Sequence, residues 1–324
     1  MPAPDRSHGD LVAPSSAPTS RTHPATLPLA ELAASGARLS PIVAGVWRMA
    51  DWGMDGAERL RWIEQCLDHG VTSFDHADIY GSYTVESLFG EALARAPGLR
   101  DRMQLVTKCG IKLTSPNRPA HAIKSYDTSA AHLIASVEES LRALRTDRID
   151  LLLLHRPDLL MDPDEVADAF RRLQSAGKVL HLGTSNHTPS QFALLARRVA
   201  LSTNQVELSP LQLEVLDDGT LDQATDLRVR PMIWSPLAGG RIFTDTDERS
   251  DRVRRTLGEV GARHGVSAAT TAYAWILRLP ARPVPITGTR RLGALREAIA
   301  ALDVTLTREE WYEIWRAGAG REVA

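Results

Sequence analysis

The sequence predicts one α/β domain folded as a (β/α)8 TIM barrel, with extra C-terminal helices and a disordered N-terminal tail. Two observations support this prediction. From residue 40 onward, eight short apolar segments alternate with longer amphipathic segments, as strands and helices do in a barrel. An open doubly wound sheet would need a Gly-x-Gly-x-x-Gly turn after an early strand, whereas Gly45 stands alone after the first one.

The N-terminal segment differs in composition from the rest of the chain. Residues 1–27 are predicted to be the disordered tail, and residues 28–324 the barrel domain. The tail is rich in Pro, Ala, Ser and Thr, so it buries too little apolar surface to offset the entropy of ordering. It contains no apolar signal core, which disfavours a secretory peptide.

The predicted strands are the apolar segments, in which β-branched residues are frequent. They are residues 42–47, 72–75, 104–108, 150–155, 179–184, 202–206, 231–235 and 284–287.

Amphipathic helices are predicted after these strands, and several carry a recognisable terminus. Ser129 suits an N-cap, Gly177 suits a helix end, and Pro189 suits a first turn. The helices are predicted at 57–68, 84–94, 129–144, 164–176, 189–199, 216–227, 251–263 and 292–301. Two more helical segments, 267–279 and 308–316, exceed the repeated units.

Composition narrows the classes of partner and compartment. The 38 basic and 40 acidic residues give a formal net charge of −2, so neither nucleic acid nor an anionic membrane is expected. No apolar run approaches the ~20 residues of a membrane span. Only two cysteines, Cys66 and Cys109, occur, which predicts a reduced cytoplasmic setting. We expect a monomer, because the pattern contains no exposed apolar seam.

Four polar residues stand at or just after predicted strand ends, where barrel enzymes carry their active sites. Asp75 and Tyr80 follow the second strand, Lys108 ends the third, and His155 ends the fourth. A free phenol has a pKa near ~10, and a neighbouring ammonium lowers it. A carboxylate keeps that ammonium charged, and a histidine can bind a substrate oxygen. The set is suited to protonating a carbonyl oxygen, while hydride requires a nicotinamide cofactor.

Two other chemistries use similar residues and are disfavoured. A metal-dependent hydrolase would not need Lys108 at its centre, and the first strand carries no His-x-His pair, so no metal is expected. A Schiff base on Lys108 would leave Tyr80 unexplained.

The motifs around these residues resemble those of the aldo-keto reductase superfamily, in its bacterial branch of NADPH-dependent oxidoreductases. They read Phe-Asp-His-Ala-Asp-Ile-Tyr-Gly at 74–81, Val-Thr-Lys-Cys-Gly at 106–110 and Asp-Leu-Leu-Leu-Leu-His-Arg-Pro-Asp at 150–158. The resemblance covers roughly residues 38–317 and includes the later runs 183–186, 204–207 and 234–237. It implies that Tyr80 is the general acid, tuned by Lys108, which pairs with Asp75. His155 would orient the carbonyl group.

The same resemblance implies an NADPH site at the barrel mouth. At the nicotinamide end, Ser185, Asn186 and Gln205 would hold the carboxamide, Trp234 would stack on the ring, and Gly45 and Trp47 would approach ring and substrate. The pyrophosphate would be wrapped by the loop after the seventh strand, through Ser235, Pro236, Leu237, Gly239, Gly240 and Arg241. Gly288, Thr289 and Arg290 would meet the adenosine 2′-phosphate, with Arg296 and Glu297 near the adenine.

One position departs from the family pattern. A basic residue usually stands five positions after Thr289, but here that position is Ala294. Arg290 and Arg291 are the candidates to supply the missing charge, and guanidinium groups suit a phosphate dianion, so NADP is expected over NAD.

The sequence therefore predicts NADPH-dependent reduction of an aldehyde or ketone to an alcohol. The alternative is a cofactor-sensing regulatory protein on the same barrel, with little turnover. The loops at 49–54, 113–128 and 158–162 are expected to shape the pocket for a small carbonyl substrate, and 113–128 is long enough to indicate a functional role.

Overall fold

The computed structural model describes residues 27–324. Most of the predicted tail, residues 1–26, lies outside this range. Leu27, the last residue assigned to the tail, is described and is buried in the main hydrophobic core.

Within the described residues the chain forms twelve strands, three to seven residues long in the barrel and two residues long elsewhere. They are β1 (Ala30–Glu31), β2 (Arg38–Leu39), β3 (Val43–Gly45), β4 (Ser73–Asp75), β5 (Gln104–Cys109), β6 (Ile111–Lys112), β7 (Ser125–Tyr126), β8 (Ile149–Leu154), β9 (Val179–Ser185), β10 (Asn204–Glu207), β11 (Met232–Trp234) and β12 (Val284–Thr287).

Eleven α-helices occur in the same range. They are α1 (Gly56–Asp68), α2 (Val85–Leu93), α3 (Ala130–Leu144), α4 (Pro163–Ser175), α5 (Pro189–Ala196), α6 (Thr220–Asp226), α7 (Arg241–Thr244), α8 (Glu248–His264), α9 (Ala268–Leu277), α10 (Leu292–Ala300) and α11 (Arg308–Ala319).

Eight parallel strands close into a barrel in the order β3, β4, β5, β8, β9, β10, β11 and β12. The barrel closes where β12 pairs with β3, with Ile286 opposite Val43. This arrangement confirms the predicted (β/α)8 barrel, because each predicted strand overlaps one barrel strand. The carboxyl ends of all eight strands consequently meet at one face.

The amino-terminal face of the barrel is covered by a hairpin that the sequence reading did not predict. β1 and β2 pair antiparallel. Ala30 and Leu39 of these strands, together with Leu32 of the turn between them, share one buried cluster with barrel-interior side chains such as Leu151 and Met232. Because packed side chains close this end of the barrel, a ligand site is expected at the opposite face.

Helix termini follow the expected capping chemistry. The Ser129 side chain accepts from the backbone N–H of His132, and Thr188 forms a capping box with Gln191 before α5. The largest boundary error is at α6, which starts at Thr220 behind the left-handed Gly219. Smaller errors occur at α8, which starts earlier than predicted because Asp247 caps it, and at the C-terminal ends of α5 and α11. In the part of the chain that the structure describes, no helix is long and apolar enough to cross a membrane.

Candidate active site

A cavity of about 1200 Å³ opens at the carboxyl ends of the barrel strands. It exceeds the ~300–1,000 Å³ of ordinary small-ligand pockets, so it has room for a long molecule. Most of the residues predicted for the site line it: Gly45, Trp47, Asp75, Tyr80, His155, Ser185, Asn186, Gln205, Trp234, Ser235, Pro236, Leu237, Gly239, Gly240, Gly288, Thr289 and Glu297.

Lys108 is the centre of the polar network at the floor of this cavity. Its ammonium lies 2.7 Å and 2.9 Å from the two carboxylate oxygens of Asp75, 2.8 Å from the carbonyl oxygen of His76, and 3.0 Å from the hydroxyl of Tyr80. Lys108 and Asp75 are almost fully buried, with 1% and 3% of their surface exposed. The three predicted partners are therefore in direct contact.

Strand register explains why these residues meet. Asp75 ends β4 opposite Val106, two residues before Lys108 on β5. The chain after β4 continues to bond β5, since the N–H of Asp78 donates to the carbonyl of Lys108 at 3.0 Å. After Tyr80, Gly81 and the residues Ser82 and Tyr83 all have left-handed backbone conformations, with φ of 55°, 55° and 70°. Such clustered conformations are costly for non-glycine residues and are typical of functional loops.

Burial outweighs the lysine in setting the acidity of Tyr80. Desolvation raises the pKa of Tyr80 above its ordinary value, although Lys108 acts to lower it. Sequence reasoning considered only the ammonium and therefore expected a net decrease. The phenol thus holds its proton at neutral pH in this state. Desolvation alone would lower the pKa of Lys108, but the Asp75 carboxylate and Tyr80 more than offset it, and the pKa is raised.

His155 is neutral in this environment. Desolvation, with smaller contributions from Lys108, Arg156 and Lys124, holds the pKa of His155 well below its ordinary value. Its ring lies across that of Tyr80, with centroids 6.0 Å apart. Nδ1 is buried and has no hydrogen-bond partner among the described residues. A buried N–H without an acceptor is rare, so we assign the proton to Nε2.

A second network lies beside the first, in strands β9, β10 and β11. The Gln205 amide donates to Asp75 Oδ1 at 2.8 Å, which links this network to Lys108. Asn186 Nδ2 donates to Ser185 Oγ at 2.8 Å, and Trp234 Nε1 donates to Asn186 Oδ1 at 3.0 Å. Asn186 is held in a left-handed conformation, with φ of 58°. The predicted carboxamide-binding residues thus form one connected cluster.

The loop after β11 turns sharply along the cavity wall. Ser235, Ala238, Gly239 and Gly240 all have positive φ. The N–H groups of Ala238 and Gly240 donate to the carbonyls of Ser235 and Leu237 within the loop, which holds the turn in place. Arg48, from the loop after β3, reaches this loop and donates to the carbonyl of Gly239 at 3.1 Å. Arg241, predicted to belong to the site, does not line the cavity, and its Nε donates to Ala238.

At the far end of the cavity, two arginines that were predicted to belong to the site do not line it. Arg290 donates to the carbonyl oxygen of Trp52 at 2.7 Å, and Arg296 donates to His69 at 2.9 Å, so neither lines the cavity. Arg291 and Ala294 do line it. The turn before α10, in which Arg291 is the N-cap residue, determines which arginine side chain points into the cavity. Two adjacent arginines in a sequence do not reveal this turn.

Several other lining residues were not singled out from the sequence. Lys124 lies in the 113–128 loop that was expected to shape the pocket, Ile111 belongs to β6, Arg156 follows His155, and Ala268 and Ala269 begin α9. The basic residues among them carried no motif that distinguishes a cavity residue from a solvated surface one.

A layer of buried titratable groups lies behind the tetrad formed by Asp75, Tyr80, Lys108 and His155. Burial lowers the pKa of His76 to about 3 and raises that of Glu86 to about 7. Thr107, the neighbour of Lys108, donates to Glu86 at 2.6 Å, which ties β5 to α2. Burial also raises the pKa of the Cys109 thiol well above its usual value, so it is neutral. Across residues 27–324, no three His, Cys, Asp or Glu side chains are grouped so as to hold a metal ion.

Close packing at the cavity wall depends on Gly45. An added Cβ there would come within 2.8 Å of the Ile286 side chain, so glycine lets β3 and β12 approach closely beside Asp75. At the start of α10 no side chain among the described residues caps the first backbone N–H groups, and free N–H groups at a helix N-terminus suit an anion.

Comparison with known proteins places these features in context. The model of the Aldo/keto reductase family matches residues 41–318. The oxidoreductase YdhF of Escherichia coli is 49% identical over 90% of this chain and 98% of its own length. A 6-dehydroglucose reductase of Agrobacterium fabrum is 43% identical over 88% of this chain and 96% of its own length.

Among solved structures, a glycerol dehydrogenase from Gluconobacter oxydans superposes with a TM-score of 0.78 at 23% identity. It covers 93% of this chain and 98% of its own. At this level of identity the match supports the fold alone.

Proposed function

Since this chain belongs to the aldo/keto reductase family and is an oxidoreductase, we propose that it reduces an aldehyde or ketone to an alcohol with NADPH. In this proposal Tyr80 is the general acid, Lys108 and Asp75 control its charge, and His155 orients the carbonyl group. The contact that supports it most directly is the 3.0 Å hydrogen bond from Lys108 Nζ to the Tyr80 hydroxyl, at the wall of the cavity.

The family uses nicotinamide cofactors, and bound NADPH supplies the hydride. The Ser185, Asn186 and Gln205 cluster would bind its carboxamide, and Trp234 would pack against its ring. The loop from Ser235 to Gly240 would bind the pyrophosphate, and Arg291 the 2′-phosphate.

The hydrogen bonds of Lys108 determine whether the Tyr80 hydroxyl donates or accepts toward the cavity. Lys108 has three N–H groups and donates to Asp75, to the carbonyl of His76 and to the Tyr80 oxygen. Because Tyr80 accepts this bond, its own O–H is left to donate to another acceptor. A carbonyl oxygen in the cavity is such an acceptor, and proton transfer to it leaves a phenolate beside the ammonium.

The ammonium then stabilises the charge that forms. Lys108 is buried, so its attraction for a developing phenolate is weakly screened. Asp75 keeps the lysine protonated, which the raised pKa of Lys108 reflects. Neutral His155 can donate from Nε2 to the same carbonyl oxygen, which would fix its position relative to Tyr80.

Steady-state assays with a reactive aldehyde test this proposal. Nitrobenzaldehyde with NADPH should give loss of NADPH absorbance, and a fluorescence titration should give tighter binding of NADPH than of NADH. Tight NADPH binding without turnover of any aldehyde would contradict the proposal and favour a cofactor-sensing protein. Tighter binding of NADH would contradict the assignment of NADP.

Sugar aldehydes belong in the substrate panel. The Agrobacterium fabrum relative is named a 6-dehydroglucose reductase, and the two proteins align over most of both chains. We propose a hydrophilic aldehyde of this kind as the first candidate for the natural substrate.

A further inference from the structure

Two basic side chains on the proposed catalytic side of the cavity form no salt bridge with another described residue. Lys124, just before β7, and Arg156, directly after His155, both line the cavity. Neither forms a salt bridge within residues 27–324. The catalytic steps described above use neither of them.

Both charges lie near the reacting end of the cavity. Lys124 and Arg156 are close enough to His155 to lower its pKa, after the larger effects of desolvation and Lys108. The Arg156 guanidinium lies 5.9 Å from the centre of the Trp234 ring. They are therefore beside the tetrad and the proposed nicotinamide position, rather than beside the phosphate positions.

The loops that carry these two residues are fastened to each other. Asp158, two residues after Arg156, accepts from the N–H of Thr128 at 3.1 Å and from its hydroxyl at 2.9 Å. Strand β7, which starts at Ser125, pairs with β6 through Lys112 and Ile111. The loops that carry Lys124 and Arg156 are thus held in a fixed position relative to each other.

The cavity offers few carboxylates to neutralise them. Among its described lining residues, the acidic ones are Asp75, already bonded to Lys108 and Gln205, and Glu297 on α10 at the other end. Glu207 is near enough to Arg156 for the two to interact electrostatically, but it does not line the cavity. The substrate side therefore carries a net positive charge beside an almost neutral histidine.

We propose that Lys124 and Arg156 form a second recognition subsite, which binds acceptor oxygens at the end of the substrate remote from its carbonyl group. This inference rests on the proposed reductase function and adds the class of substrate, namely carbonyl compounds with a carboxylate, phosphate or hydroxyl-rich distal end. Two cations without salt bridges bind such oxygens through charge-assisted hydrogen bonds. A lipophilic end would instead desolvate the half-buried Arg156 with no compensating bond.

Matched aldehydes isolate the contribution of this subsite. Benzaldehyde, 4-(hydroxymethyl)benzaldehyde and 4-carboxybenzaldehyde share one reacting group and differ in the distal oxygens. The readout is the ratio of kcat/KM for each oxygenated aldehyde to that for benzaldehyde, in the wild type, Lys124→Met and Arg156→Met. Lys112→Met is the control, because Lys112 is on the same segment but pairs with Asp127 and does not line the cavity.

We expect at least one ratio to exceed unity in the wild type and to fall about tenfold in Lys124→Met and in Arg156→Met, mainly through KM. Lys124→Arg should restore most of it, and Lys112→Met should not change it. A fall confined to 4-carboxybenzaldehyde identifies an anionic distal end, and a fall with both compounds identifies hydroxyl recognition as well. Unchanged ratios in both variants would overturn the proposal.

A binding measurement separates this inference from the reductase proposal. The affinity of 4-carboxybenzaldehyde for the NADP⁺-loaded protein can be measured by calorimetry without turnover. A tenfold weaker affinity in Lys124→Met supports the subsite even if no aldehyde is reduced. Equal affinities in the wild type and the variant contradict the subsite even if reduction is fast.

Discussion

The two ends of the cavity are built by different means. At the proposed catalytic end, Asp75 and Lys108 come from adjacent strands, are nearly inaccessible to solvent and make several short contacts each. At the proposed adenosine end, Arg290, Arg291 and Arg296 come from a loop and the exposed face of a helix. Two of these three arginines bond to protein groups away from the cavity.

This difference shows what a sequence motif specifies. A residue at the end of a barrel strand has its direction set by the pleat and by the register with both neighbours. An arginine in a loop has a long side chain whose direction depends on whatever acceptor lies within reach. The same spacing in sequence therefore determines the position of Lys108 but not that of Arg290.

The largest expected effect comes from the catalytic end. Tyr80→Phe removes the O–H that is proposed to protonate the carbonyl oxygen, and we expect kcat for nitrobenzaldehyde to fall by ~10²–10⁴-fold. The affinity for NADPH, measured by fluorescence, should stay nearly unchanged. Tyr312→Phe on the exposed face of α11 is the control. Parallel loss of turnover and cofactor binding would contradict the role of Tyr80 as acid.

The buried layer behind the tetrad gives the next effect, on stability. Glu86 has its pKa raised by burial from 4.5 to about 7, so the folded state binds a proton more tightly than the unfolded state. Its stabilising contribution is complete below pH 4.5 and is lost as pH rises through about 7. Glutamine does not ionise, so the Glu86→Gln variant does not lose stability in this way as the pH rises.

Urea denaturation at several pH values checks this prediction. The free energy of unfolding of Glu86→Gln minus that of the wild type should rise by on the order of 3 kcal/mol from about pH 4.5 to pH 8. Taking the difference cancels the opposite trend from His76, whose pKa is lowered. Glu259→Gln on the exposed face of α8 is the control. A flat difference for Glu86→Gln would show that Glu86 ionises as readily in the folded as in the unfolded protein.

At the proposed adenosine end, we expect substitution of Arg291 to weaken NADPH binding. Arg291 lines the cavity at the start of α10, and its removal should weaken NADPH binding by ~10–100-fold, as expected for loss of charge-assisted bonds to a phosphate. NADH lacks that phosphate, so its affinity should change less than about threefold. Fluorescence titrations of Arg291→Ala with both cofactors measure this. Equal weakening of both would place Arg291 elsewhere on the dinucleotide.

Arg290→Ala should give the smallest effect on cofactor binding. Its guanidinium is engaged with the carbonyl oxygen of Trp52, so we expect the NADPH affinity to change by less than about threefold. The lost hydrogen bond should instead lower the free energy of unfolding by ~1 kcal/mol. If Arg290→Ala weakens NADPH binding more than Arg291→Ala does, the guanidinium leaves Trp52 when the cofactor binds.

Much of the barrel was predictable because its signals are local and repeated. Each apolar segment overlaps a barrel strand, and caps such as Ser129 mark helix starts. The hairpin of β1 and β2 was missed, since two-residue strands carry no periodicity. The net effect of burial on the pKa of Tyr80 was also missed, because desolvation depends on neighbours from several strands that sequence spacing does not reveal.

The segment from Ile111 to Tyr126 has a consequence for how such a protein diversifies. β6 and β7 pair with each other and with no barrel strand, so the polypeptide between them is stabilised without using the central sheet. Insertions, deletions or whole replacements there leave the inter-strand hydrogen bonds of the barrel intact. If Lys124 helps to select the substrate as proposed, grafting this segment from a relative changes the preferred compound while the reacting groups stay in place.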